Sequence, residues 1–229
     1  MARKKIVLVI VEGPSDDDAL GLMFKHFFER YNNQEARVHI MFRDITTEYG
    51  NVQCNIITAI DREVKKYANN NHLQNSHFSE IIHIVDTDGV FVDNSKVVED
   101  LTKEEVFYTV TEIRTKDKLG IEKRNLQKRE NLERMIGKKV IGNINYNVYY
   151  MSCNLDHVLH NKLNSTDEEK EQDAFAFVSR YENDLQGFLD YVSKSNFSVT
   201  GNYEETWSFI KEDRHSLERH TNIGLCFVR

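Results

Sequence analysis

The chain has 229 residues, of which 40% are hydrophobic and 29% charged, and its formal net charge is -7. That composition supports a core of one α/β domain with an appended helical part. It excludes a generally basic coat for nucleic acid, while allowing a local basic stripe beside an acidic, cation-binding site.

The start, "MARKKIVLVIVEG", places a basic cluster before an apolar run that ends in Glu12. No small-residue cleavage site follows, so it reads as a first strand (5–13) behind a solvated start rather than as a signal peptide. "DALGLMFKHFFERY" (18–31) is an amphipathic helix and "ARVHIMF" (36–42) a second strand. "NIITAIDREVKKYANN" (55–70) carries Ile56, Ile60, Val64 and Tyr67 at helical spacing. "EIIHIVDTDG" (80–89) is near-continuously apolar, as in a strand buried on both faces. The region 95–140 is charge-rich, with a helix expected around "IEKRNLQKRENLERMIG", and "NVYYMSC" (147–153) is the fourth strand. Beyond it the pattern is helical, over 167–194 and again in "NYEETWSFIKED". Strand–helix alternation implies a parallel β-sheet flanked by helices, with Rossmann-like layering and a mostly helical C-terminal part. The expected division is an α/β catalytic domain over 1–155 and a helical extension over 156–229 packed on it. No apolar run approaches the roughly 20 residues needed to span a bilayer. Cys54, Cys153 and Cys226 form no CxxC pair and no zinc-ligand spacing, which fits a reducing cytoplasm.

Two stretches carry the chemistry. In "VEGPSDDDAL", Glu12 ends a strand, Gly13 permits a tight turn, and Pro14, the only proline, suits a first helical position. Asp16, Asp17 and Asp18 fall in the first turn, where the helix dipole favours negative charge, and the last two read as caps. Asp16 shares a stripe with Leu20, Met23 and Phe27, which aims it beside Glu12 at the carboxyl ends of the strands. In open α/β sheets that crevice is where ligands bind. In "IVDTDGVFVDN", Asp86 and Asp88 end the third strand-like run, and strand alternation places them on one side. Four carboxylates at one sheet edge repel unless a cation joins them. Hard oxygen donors with no histidine or cysteine among them describe Mg2+ or Mn2+.

Strand–Glu–Gly, an aspartate four residues after the glutamate, and strand–Asp-x-Asp–Gly about 70 residues later resemble the Toprim family, over roughly residues 5–155. The resemblance implies that Glu12 does acid–base work, that Asp86 and Asp88 hold the metal, and that Asp16 is a further ligand, as in OLD-like members. "YYMSCNLDHVLHNKL" (149–163) is similar to the segment of RloB-like Toprim proteins in which a strand ends in a serine before a short acid-bearing helix, with Asp156 in place of the usual glutamate. The chain is too short to add a topoisomerase's breakage domain, has no zinc-finger cysteines, and has no GxxxxGK[ST] for an ATPase. What remains is a stand-alone, OLD-like nuclease of phage-defence or mobile-element type, cytoplasmic, acting on DNA or RNA, with a separate ATPase as candidate partner and a homodimer left open. The basic segment 114–139 would track a phosphate backbone or form an exposed helix laced with ion pairs.

"DTDGVFVDN" also resembles the first motif of haloacid-dehalogenase-type phosphatases, which would make Asp86 a nucleophile and Asp88 an acid–base, with Ser152 and Lys170 in supporting roles. That reading lacks the later strand ending in paired acids and leaves residues 1–83 unexplained. In the tail, His215, Ser216, His220, Thr221 and Asn222 form a polar cluster with no assigned chemistry.

Overall fold

Six consecutive apolar residues, Ile6–Val11, form strand β1, and each is at most 1% exposed. A strand covered on both faces must be apolar throughout, which is why the run does not alternate. In the computed structural model, residues 4–40 and 55–228 are described. The last two positions of the expected second strand, and Cys54, lie outside the described residues.

Gly13 is extended, and Pro14 opens helix α1 (Pro14–Asn32). Its inward face is Leu20, Met23, Phe24, Phe27 and Phe28, and it ends where Asn33 turns left-handed at φ 49°. α1 packs on β1 and on β2 (Glu35–Ile40). Helix α2 (Ile56–Asn70) starts from Asn55, whose side chain accepts the Ile57 N–H at 3.0 Å. It buries Ile56, Ile60 and Val64 as expected, with Ala68 completing the stripe and Tyr67 half-buried.

β1 pairs in parallel with β2 on one side and with β3 (Phe78–Asp86) on the other, where Ile10 lies opposite His83. The sheet continues through β8 (Ile144–Met151) to the short β7 (Val140–Ile141), in the order β2-β1-β3-β8-β7. β7, a strand the sequence reading did not include, runs antiparallel to β8, so the sheet is mixed and mostly parallel. The hairpin costs little: Gly142 and Asn143 take positive φ in a two-residue turn, and antiparallel neighbours need no crossover. His83 on β3 and Tyr146 on β8 are buried and share a hydrogen bond of 2.9 Å, which satisfies both.

The chain resolves into two compact units, each drawn from separate segments. The first comprises the described residues within Met1–Ile84 together with Glu130–Val148 and Ala174–Leu185. The second comprises Val85–Arg129, Tyr149–Asp173 and Gln186–Arg229. Within the second, a small sheet of β4 (Val97–Glu99), β6 (Ile113–Thr115) and β5 (Phe107–Tyr108) surrounds a core of Val92, Val97, Ile113, Ile121 and Leu217. Helix α3 (Lys118–Ile136) runs from the second unit into the first.

After β8 the elements are helical: α4 (Leu155–His160), α5 (Asp167–Tyr181), α6 (Leu185–Lys194) and α7 (Tyr203–Ile210). The span 167–194 is therefore two helices, broken at 182–184, where Asn183 and Asp184 favour a turn. Among the described residues no helix is long and apolar enough to cross a membrane.

Candidate functional site

Glu12 is half-buried directly after β1. Asp16 closes the turn that follows: its Oδ2 accepts the Gly13 N–H at 3.0 Å while its own N–H reaches the Gly13 carbonyl at 3.2 Å. The capping task expected of Asp17 and Asp18 thus falls to Asp16, the third residue of the helix. The Asp17 carboxyl is pushed above its ordinary range by burial first and by the neighbouring Asp18 charge second.

Asp86 is the last residue of β3 and is half-buried. Thr87 locks the turn after it. Its N–H donates to the Met151 carbonyl at 2.9 Å, and its hydroxyl accepts the Cys153 N–H at 2.8 Å and donates to the Ser216 carbonyl at 3.2 Å. Asp88 lies in the left-handed region at φ 48°, with Gly89 behind it at φ 65°. Strand parity therefore does not orient Asp88, because the strand has ended two residues earlier. The turn turns its carboxylate onto Lys128 of α3, with Nζ to Oδ2 at 2.6 Å. The Lys128 side chain is fully buried and that of Asp88 is 21% exposed.

α3 grips the same turn by its main chain. Arg124 Nη2 donates to the Asp88 carbonyl at 3.1 Å, and Nη1 donates to the Tyr108 hydroxyl at 2.9 Å. Nε and Nη2 both reach Asn125 Oδ1, at 3.2 and 2.8 Å. The Cys153 thiol is pushed well up by burial, and the Asp88 and Asp86 charges add to the effect, so it is held as a thiol rather than as a nucleophilic thiolate.

The downstream segment has the expected layout. β8 ends, Ser152 and Cys153 follow, and the short α4 carries Asp156 in its first turn. The Asp156 carboxyl is buried and raised by that burial. Beside it His157 is lowered to about 4, by burial first and the Arg219 charge second. Ser152 is buried, with its hydroxyl accepting the His220 N–H at 2.6 Å, and Lys170 pairs with Asp167 at 3.8 Å on exposed α5. The polar tail completes β8. Asn222 Oδ1 accepts the Tyr150 N–H at 2.9 Å, Thr221 Oγ1 donates to the Tyr150 carbonyl at 2.6 Å, and the His215 ring stacks on Phe209 at 3.9 Å.

Of the four expected ligands, Glu12 and Asp16 flank Gly13 in the first unit, and Asp86 and Asp88 flank Thr87 in the second. Among the described residues no group of three or more His, Cys, Asp or Glu stands together as a metal cluster. The sequence reading missed Arg124, Asn125 and Lys128. Their signal was present: Ile121, Asn125, Lys128, Leu132 and Met135 recur at intervals of four and three and are all buried, so two polar residues occupy the core stripe of α3. The expected exposed helix is thus half wrong; its ion pairs, Lys118–Glu122 and Arg134–Glu130, decorate only the other faces. Compared with protein-family models, with curated proteins and with solved structures, the chain matches none.

Proposed function

We propose that the chain is a Toprim-like, metal-dependent nuclease that hydrolyses phosphodiester bonds of DNA or RNA. One observation carries the reading: β1 and β3 are parallel neighbours, Glu12 follows β1 directly, and Asp86 closes β3. The order β2-β1-β3 reverses direction at β1, and in open α/β sheets the carboxyl ends at such a reversal are where ligands bind. Of the four hard-oxygen donors, Asp16 already caps α1 and Asp88 already faces Lys128. Glu12, at the carboxyl end of β1, is the residue proposed to help hold Mg2+ or Mn2+, a cation that polarises phosphate and activates water when bound. Asp88 has the different task of orienting the Lys128 ammonium.

The test uses the purified chain with Mg2+, Mn2+ or EDTA against single- and double-stranded DNA and RNA, with a small phosphomonoester as control. Cleavage of a nucleic acid is expected with metal only. Glu12→Gln is expected to lose about 10²–10⁴-fold, the usual scale of a missing acid–base group. Phosphomonoester turnover that survives Glu12→Gln while Asp86→Asn abolishes it would move the chain to the aspartyl-phosphate chemistry instead.

A further inference from the structure

The inward face of α3 contains buried donors for which the described residues provide no acceptor. Asn125 is 0% exposed, and its Nδ2 has no hydrogen-bond partner; neither has the buried Nε of Arg129. The orientation of the Asn125 amide is fixed, because the atom facing Arg124 receives two guanidinium N–H groups and a guanidinium can only donate. Nδ2 is therefore the end left over. A buried donor without an acceptor costs about as much as a lost hydrogen bond, so such a group points to something that binds there. Its neighbours along the helix are cationic: Arg124 one residue before, Lys128 three residues on and Arg129 four residues on. Arg129 also lies near enough to Asp93 to help hold that exposed carboxyl below its ordinary range, an effect due first to the Ser95 N–H.

We infer that this face of α3 is an oxyanion subsite: Asn125 Nδ2 and Arg129 Nε take the oxygens of a phosphate group. Its ligand class is a phosphoryl oxyanion. The guanidinium fork and the carboxamide match the geometry of phosphate oxygens, and a carboxylate of the protein already engages Lys128. Arg124 and Arg129, next to the buried amide on the helix, are themselves only half-buried. The subsite rests on the nuclease reading for its natural source, a phosphodiester of a nucleic-acid strand, but its residues and its test are separate from Glu12 and Asp86.

The experiment measures binding in EDTA, where no cleavage occurs. The full chain is titrated with inorganic phosphate and with a short oligothymidylate, by calorimetry and by thermal denaturation. Asn125→Asp keeps the acceptor that Arg124 needs and replaces the orphaned donor with an acceptor of negative charge. It is expected to weaken oligothymidylate binding about 10- to 100-fold, the scale of one charge-assisted hydrogen bond, without lowering the ligand-free denaturation midpoint. Arg129→Gln, at a half-buried position, is expected to weaken binding in the same direction and serves if the first variant folds poorly. Lys123→Gln, on the exposed face of the same helix, changes net charge equally and is expected to shift affinity less than about twofold. Phosphate binding without oligothymidylate binding identifies a free-phosphate site on the same residues. Unchanged affinity in both Asn125→Asp and Arg129→Gln, or no binding of either probe by the parent, overturns the inference. Binding that the variants lose, in a chain that cleaves nothing with any metal, leaves the subsite standing and removes the nuclease reading.

Discussion

Replacing Asp88 by asparagine removes a carboxylate charge 2.6 Å from an ammonium whose side chain is fully buried. The backbone contributes little to the outcome, since asparagine tolerates φ near +48° as well as aspartate does. The cost is that of breaking a buried ion pair, roughly 3–5 kcal/mol when one partner of such a pair is deleted. Asp88 is 21% exposed and the asparagine oxygen still accepts a hydrogen bond, so the lower end, about 3 kcal/mol, is expected. For a chain of this length that is about 6–12 °C in denaturation midpoint. The assay is thermal unfolding followed by circular dichroism in EDTA. The double variant Asp88→Asn with Lys128→Met is expected to regain most of the loss, because it removes the buried ammonium as well. If Asp88 served mainly as one of several crowded carboxylates awaiting a cation, its neutralisation without metal would relieve repulsion and raise the midpoint. A midpoint that rises or stays put would refute the Lys128 assignment.

His157 supplies a pH test. Its folded value of about 4 lies below the ordinary 6.5, so the unfolded chain binds the proton first, and the stability that depends on neutral His157 is complete above about pH 6.5 and lost as pH falls toward 4. At most a few kcal/mol is involved, and His157→Gln should flatten that part of the profile; an equal slope in the variant would show that other groups carry it. Gly89→Ala places a Cβ 2.4 Å from Leu217 Cδ2 at φ 65°, so roughly 2–4 kcal/mol of destabilisation is expected from the strained backbone and the overpacked core together. Denaturation that matches the parent would mean that Leu217 yields freely.

What could be read from sequence depended on the distance over which each signal acts. β1 and β3 were legible because a strand covered on both faces needs an unbroken apolar run, and the start of α1 because Gly13 and Pro14 set its geometry locally. The three strands of the small sheet have two or three residues each, too few for alternation to emerge from a charged background. The orientation of Asp88 was misread for a related reason. Parity along a strand says nothing once the strand has ended, and the ending is set by Thr87, whose partners Cys153 and Ser216 are 66 and 129 residues away.

The same limit explains why α3 looked like a solvated helix. Averaged over all its faces, the segment is basic and polar, and Lys128 is normally placed outside by its type alone. It is buried because Asp88 is there to receive it, and Asp88 is held in place by a carbonyl bonded to Arg124 and a carboxylate bonded to Lys128. The Asp-x-Asp turn and the Arg124–Lys128 stretch of α3 are thus joined through main chain and side chain together. It follows that the two aspartates of the motif are not equivalent. Asp86 closes β3, whereas Asp88 lies beyond the strand and meets the helix, so a change anywhere along the Ile121–Lys128 stripe should be felt at Asp88.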